Sequence, residues 1–129
     1  MIGTALIEEI RSDEPSNKIW QEAINLSELI KSNYEAVLSA TLEALSHARH
    51  PDTVAALSTC LIEHLFEYDF SSFDKLEKNI REGDDKSLYA LSLCSKFGSS
   101  TNRDNVNRWN SVLTEYRGRL ESYKMVQGN

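Results

Sequence analysis

Long apolar runs are absent from this 129-residue chain: no stretch approaches the roughly 20 residues that a bilayer-spanning helix needs, so a membrane span is excluded on length. Proline and glycine are scarce, with 2 and 5 residues, which excludes collagen-like and low-complexity designs. Two cysteines are too few for a disulfide scaffold. Positive charge is in deficit. The 14 Lys and Arg stand against 20 Asp and Glu, for a formal charge of −6, and such a chain repels phosphate backbones unless its basic residues are segregated.

They are partly segregated. Acidic and basic residues number 9 and 4 over 1–62, 8 and 3 over 63–85, and 3 and 7 over 86–129. The middle segment mixes Glu63, Glu67, Asp69, Asp74, Glu77, Glu82, Asp84 and Asp85 with Phe66, Tyr68, Phe70 and Phe73. Two readings of it stand: a solvated helical face, or a surface of aromatic anchors and carboxylates that captures a basic protein. The basic C-terminal segment is read as solvated, as pairing with the acidic segment of the same or a second copy, or, least of all, as a nucleic-acid contact.

What the chain does contain is helical periodicity. Continuous β alternation bounded by hairpin turns is missing, and apolar residues recur at steps of three and four, which predicts an all-α fold in a single domain, residues 1–129. Helices are expected over 3–11, from Pro15 to about 31, over 34–48, and from Pro51 through Phe66. A shorter one from Phe73 stops at Gly83, a third unit runs from Leu88 to Phe97, and one long helix closes the chain after the loop-like 98–102. Ala56-Leu57-Ser58-Thr59-Cys60 returns 34 residues later as Ala90-Leu91-Ser92-Leu93-Cys94, with a looser echo at Ala23-Ile24-Asn25-Leu26-Ser27. A period of that size points to one helical hairpin copied along the chain, each burying its apolar face on the next. The favoured architecture is a short right-handed stack of about three hairpins, and an irregular helical bundle is the alternative.

Chemistry is harder to find. His47, His50, His64 and Cys60 are the only candidates for a transition-metal site, but Pro51 starts a new helix directly after His50 and carries the other two away, so no metal is expected. Cys60 and His64 could pair as nucleophile and base, yet no orienting group or oxyanion hole accompanies them. Both cysteines are expected to be buried, inert thiols. Glu63 and Glu67 lie one turn apart and are expected to be exposed. No phosphate-binding loop or Glu-x-x-His set is present, so neither catalysis nor a cofactor is expected. Met1-Ile2-Gly3-Thr4-Ala5-Leu6-Ile7 is apolar but runs straight into Glu8 and Glu9 with no cationic leader, so a signal peptide is not expected and a cytoplasmic location is.

Pro51-Asp52-x-Val54-Ala55-Ala56-Leu57 resembles the opening of a HEAT-type repeat, with a degenerate copy from Asp85 to Leu91. As a whole, this small acidic, all-helical chain is similar in design to bacterial immunity proteins that neutralise toxins of contact-dependent growth inhibition and related systems. That resemblance implies a non-enzymatic inhibitor of a cognate basic toxin, a nuclease domain, whose active cleft it occludes. The residues expected to meet the partner are Glu63, Glu67, Asp69, Asp74 and Glu77 for steering and Phe70 and Phe73 for anchoring. A HEAT-like adaptor with a non-toxin partner is the alternative.

Overall fold

The structure, a computed structural model, describes residues 1–127, and every regular element among them is helical. Helix α1 (Thr4–Ser12) is followed by α2 (Asn17–Ser27) and α3 (Tyr34–His47). Then come α4 (Pro51–Leu57), a π-helical segment (Ser58–Ile62) and α5 (Glu63–Tyr68), which form one continuous rod. A 3-10 turn (Phe70–Ser72) leads into α6 (Phe73–Arg81), and α7 (Asp85–Leu93), a second 3-10 turn (Gly98–Thr101), α8 (Arg103–Glu115) and α9 (Arg117–Gln127) complete the chain.

Local chemistry sets the boundaries. The hydroxyl of Ser16 caps α2 by accepting the Ile19 N–H at 3.3 Å. Pro51 begins α4, where its missing N–H costs nothing, and His50 Nδ1 accepts the Asp52 N–H at 3.1 Å. Asp84 caps α7, accepting from Lys86 and Ser87. Helix α6 ends on Gly83, which takes the left-handed conformation a non-glycine residue resists.

The rod from Pro51 to Tyr68 is covered on two sides. Helix α2 packs on α4 and the π segment from one side, α7 packs on them from the other, and α9 lies against α7. The two clear copies of the sequence echo therefore meet face to face. Ala56, Leu57, Ala90 and Leu91 are all fully buried, and the Cys94 thiol donates to the Ser58 carbonyl across the contact at 3.6 Å. The looser echo diverges: Ala23 is buried but Ile24 is 43% exposed. Both thiols, expected to be buried, are only partly so, and desolvation pushes them above their ordinary value, Cys94 furthest, which favours the protonated form.

Three expected boundaries shift. Helix α2 stops at Ser27 and the chain turns through 28–32. Helix α7 stops at Leu93, because Cys94 is extended (ψ 147°), so Phe97 is not helical. The expected single C-terminal helix is two, broken at Tyr116 (φ −107°, ψ 20°), which lets α8 bury Trp109 and Val112 while α9 buries Leu120.

The N-terminal pair is tied to the rod by one carboxylate. Glu14, its side chain only 4% exposed, accepts the backbone N–H groups of Arg49 (3.1 Å) and His50 (2.9 Å) and pairs with the Arg49 guanidinium at 3.2 Å. Burial alone would raise its pKa. Those two N–H groups and the Arg49 charge help outweigh burial and hold the carboxyl below its ordinary 4.5. A depressed carboxylate stabilises the fold fully above its unfolded-state value and progressively less as pH falls through the folded-state one. Glu14→Gln is expected to cost about 1.5–3 kcal/mol at neutral pH. In urea titrations the gap between variant and wild type should close as the pH drops below 4.5.

Candidate functional site

The acidic-aromatic segment separates into an inner and an outer part. Phe66, Phe70, Phe73 and Trp109 form one cluster, with ring centroids 5.4 Å apart for Phe66 and Phe73, 5.3 Å for Phe66 and Trp109, and 4.8 Å for Phe70 and Phe73. Phe73 is fully buried and Phe70 is nearly so. The anchoring expected of these two rings is corrected by this placement: they hold α5, α6 and α8 together and offer no face to a partner.

The carboxylates divide likewise. Glu63, expected to be exposed, is buried, and accepts the Ser95 N–H at 2.9 Å. Glu77 is clamped between Arg81 (2.8 Å) and Arg108, with its side chain 13% exposed. Burial would raise its pKa, but the two guanidinium groups more than reverse this and hold it below the ordinary value. Asp74 shares Arg108 at 2.7 Å, Asp85 pairs with Arg119 at 2.7 Å, and Glu115 pairs with Arg81 at 3.1 Å. The basic C-terminal helices thus meet the acidic segment within the same molecule, and the steering expected of Asp74 and Glu77 is largely neutralised. Asp69 is exposed but caps the 3-10 turn, accepting the Ser71 N–H at 3.0 Å.

Of the expected set, Asp74 and Glu77 line a groove of about 370 Å³ with Lys78, Arg81 and Glu82, where arginines already cover them, and Glu67 opens onto a larger cleft. A cleft of about 750 Å³ lies between the end of α2 with its following turn and the outer face of α5, lined by Ser27, Glu28, Ile30, Lys31, His64, Glu67, Tyr68 and Gly98. His64 Nδ1 stands 3.0 Å from Glu67 Oε1, and its Nε2 stands 3.9 Å from Glu63. The imidazole stacks on Phe97, centroids 6.1 Å apart and planes 8° from parallel. Tyr68 is backed by Tyr34 at 5.5 Å, and the Tyr34 hydroxyl donates to the Asp69 carbonyl at 3.2 Å.

The far wall is fixed by Gly98 and Ser99. Gly98 has φ +50°, and a Cβ there would lie 2.9 Å from the Glu67 carbonyl oxygen, so only glycine fits. The Ser99 hydroxyl donates to the Phe66 and Glu67 carbonyls, satisfying the C-terminal end of α5. Among the described residues, the large apolar side chains left exposed away from the chain ends are Ile24, Leu29, Tyr68 and Phe97. Tyr68 lines the cleft and Phe97 stacks on His64, which does too, whereas Leu29 lines a separate groove against the start of α1.

Sequence reasoning missed Phe97, Tyr68 as a contact, and the α2 wall. Phe97 was legible only as helical core, and the α2 wall comes from residues more than 30 positions before α5. Among the described residues no three His, Cys, Asp or Glu side chains converge as metal ligands. A second groove of about 560 Å³ between α1 and α3 is lined by Ile2, Ile7 and small or charged residues, without an aromatic anchor.

The division between inner and outer rings is testable. Phe73→Ala should cost about 3–5 kcal/mol in urea denaturation, the range for emptying a core aromatic. Tyr68→Ala should change stability by less than about 1.5 kcal/mol, since its ring is half exposed. Comparison with protein-family models, curated proteins and solved structures finds no match to this chain, so what the cleft can do follows from its own chemistry.

Proposed function

We propose that the chain is a binding protein, not an enzyme, that captures a cationic protein in the cleft between α2 and α5. We further propose that the partner is a nuclease-type toxin whose basic active cleft it occludes. The observation that carries this reading is the exposed pair Tyr68 and Phe97 at one cleft with the carboxylates of Glu28 and Glu67, Tyr68 lining it and Phe97 stacked on its His64. Exposed apolar groups that cluster mark interaction surfaces, whereas scattered ones do not. Tyrosine and phenylalanine supply contact area at small entropic cost, and carboxylates around them select a positive partner and speed its encounter. Toxins that act on nucleic acid need a positive cleft, so the complement fits the class. Location in the cytoplasm, where such a toxin would act, belongs to the same proposal.

A finer architecture supports a second reading. The row α2, α4–α5, α7 and α9 fits a short right-handed HEAT-like stack, because the buried Ala-Leu pairs at 56–57 and 90–91 meet where neighbouring repeats would. Such a stack also serves adaptors whose partners need not be basic, and their binding is nearly independent of salt.

The test uses wild-type protein and a Tyr68→Ala/Phe97→Ala variant as bait in a lysate of the source cells at low and high salt. The expected result is a cationic protein held by the wild type and lost by the variant. Its association should slow at high salt, and its nuclease activity should fall as the chain is titrated in. A salt-insensitive partner without nuclease activity would replace the toxin reading with the adaptor. Equal retention by wild type and variant would overturn the cleft as the docking site.

A further inference from the structure

The cleft is more specific than an acidic, apolar surface. We propose that it seats one arginine side chain of the partner, with the guanidinium plane on the Tyr68 ring and its N–H groups on Glu67; this rests on the docking reading above. Four observations lead there. Glu67 is held but not saturated: Oε1 is engaged by His64, Oε2 accepts nothing among the described residues, and the side chain remains 45% exposed. The carboxylate is therefore oriented before a ligand arrives, while one oxygen stays free.

Tyr68 offers an open ring, 48% exposed, whose tilt is fixed by Tyr34 behind it. Nearly buried Ile30 supplies an apolar lining for a methylene stem. Finally, the cleft lining holds two carboxylates, Glu28 in the turn after α2 and Glu67 on α5, against a single cation, Lys31, in that same turn, and neither Glu28 nor Lys31 has an ion-pair partner among the described residues. The two carboxylates outnumber the one ammonium of the lining. Lys31 on the α2 side repels an incoming cation and directs it to the α5 wall.

Arginine satisfies this set better than lysine. Its guanidinium is planar and weakly hydrated, so it can stack on an aromatic ring and donate to a carboxylate in the same pose. A lysine ammonium is a compact, strongly hydrated charge that gains little from the ring and remains exposed to the repulsion of Lys31.

The experiment titrates uniformly 15N-labelled protein with N-acetylarginine amide and, separately, with N-acetyllysine amide. The expected result is millimolar binding of the arginine probe, with shifts at the amides of Glu67, Tyr68 and Gly98. The lysine probe should bind at least about fivefold more weakly. Glu67→Gln and Tyr68→Ala should each weaken the arginine probe about tenfold, with the remaining amide spectrum unchanged as the check on folding. Shifts away from the cleft, no shifts, or an equal response to the two probes would overturn the assignment. The docking reading fails by a different readout, the retention of partner by the Tyr68→Ala/Phe97→Ala variant, so the two can fall separately.

Discussion

The helix from Pro51 to Tyr68 buries a wide arc of its surface and leaves open the side that carries Thr59, His64 and Glu67, and much of the molecule is arranged around covering the rest. Thr53, Val54, Ala56, Leu57, Ser58, Leu61, Ile62, Leu65 and Phe66 are all buried, which is too wide an arc for one neighbour. Two helices are needed, and α2 and α7 supply them from opposite sides. Each end of the rod then has to satisfy its own backbone and charges. At the start, Glu14 receives the Arg49 and His50 N–H groups and Asp52 accepts the Trp20 indole N–H at 2.9 Å. At the end, Ser99 donates to two carbonyls and buried Glu63 reaches the Ser95 N–H. The second set brings the 94–99 strand of chain under α5 and so builds one wall of the cleft. Site and core share that requirement.

Charge follows the same geometry, and it decides where the acidic field arises. An ion pair closed at 2.7 Å looks neutral beyond a Debye length of about 8–10 Å, so Asp74, Glu77 and Asp85 add little to long-range steering once Arg108, Arg81 and Arg119 sit on them. Such partly exposed pairs also contribute modestly to stability, about 0–1 kcal/mol each. The net charge of −6 is instead expressed by carboxylates without a cation partner among the described residues. Glu8, Glu22, Glu28, Glu35 and Glu43 are among these, and all lie on α1, α2, α3 or the turn after α2. Residues 1–62 carry a net charge of −5 and 63–129 only −1, so most of the field that would draw in a positive partner comes from the N-terminal half. Asp69, Glu82 and Asp84, also without an ion-pair partner among the described residues, add to it.

The helical class, the start of α4 at Pro51, the stop at Gly83 and the stretch 98–102 were legible because each depends on local chemistry. Periodicity also located the rod and hinted that it packs on both sides. The identity of the anchoring rings was not legible. Phe66, Tyr68, Phe70 and Phe73 read alike along the chain, and what separates them is the angle at which α5 and the 3-10 turn present them to Trp109, which lies about 40 positions away. Successive helical residues are 100° apart, so Phe66 and Tyr68 point to opposite sides of one helix. Glu77 was equally opaque: its partner Arg108 is 31 positions distant, and only the packing of α8 on α6 reveals that its charge is already taken. The repeat was half legible, since its two strict copies do meet, while the third lost its equivalence at Ile24.

A cleft with preset walls changes what binding would demand. Association loses free energy to every rotamer-rich side chain that must be immobilised, about 0.5–1.5 kcal/mol each. Here Tyr68 is braced by Tyr34, His64 lies flat on Phe97, and Glu67 is oriented by His64 before any partner arrives. Gly98 packs against Glu67 so closely that an added Cβ would lie 2.9 Å from the Glu67 carbonyl oxygen, so no larger residue fits behind them. Under the proposed function, long-range charge, mostly from the N-terminal half, would set the rate at which a cationic partner arrives, and this braced constellation on α5 would set how long it stays. The two tasks would then reside in different halves of the chain and join at the α2–α5 cleft.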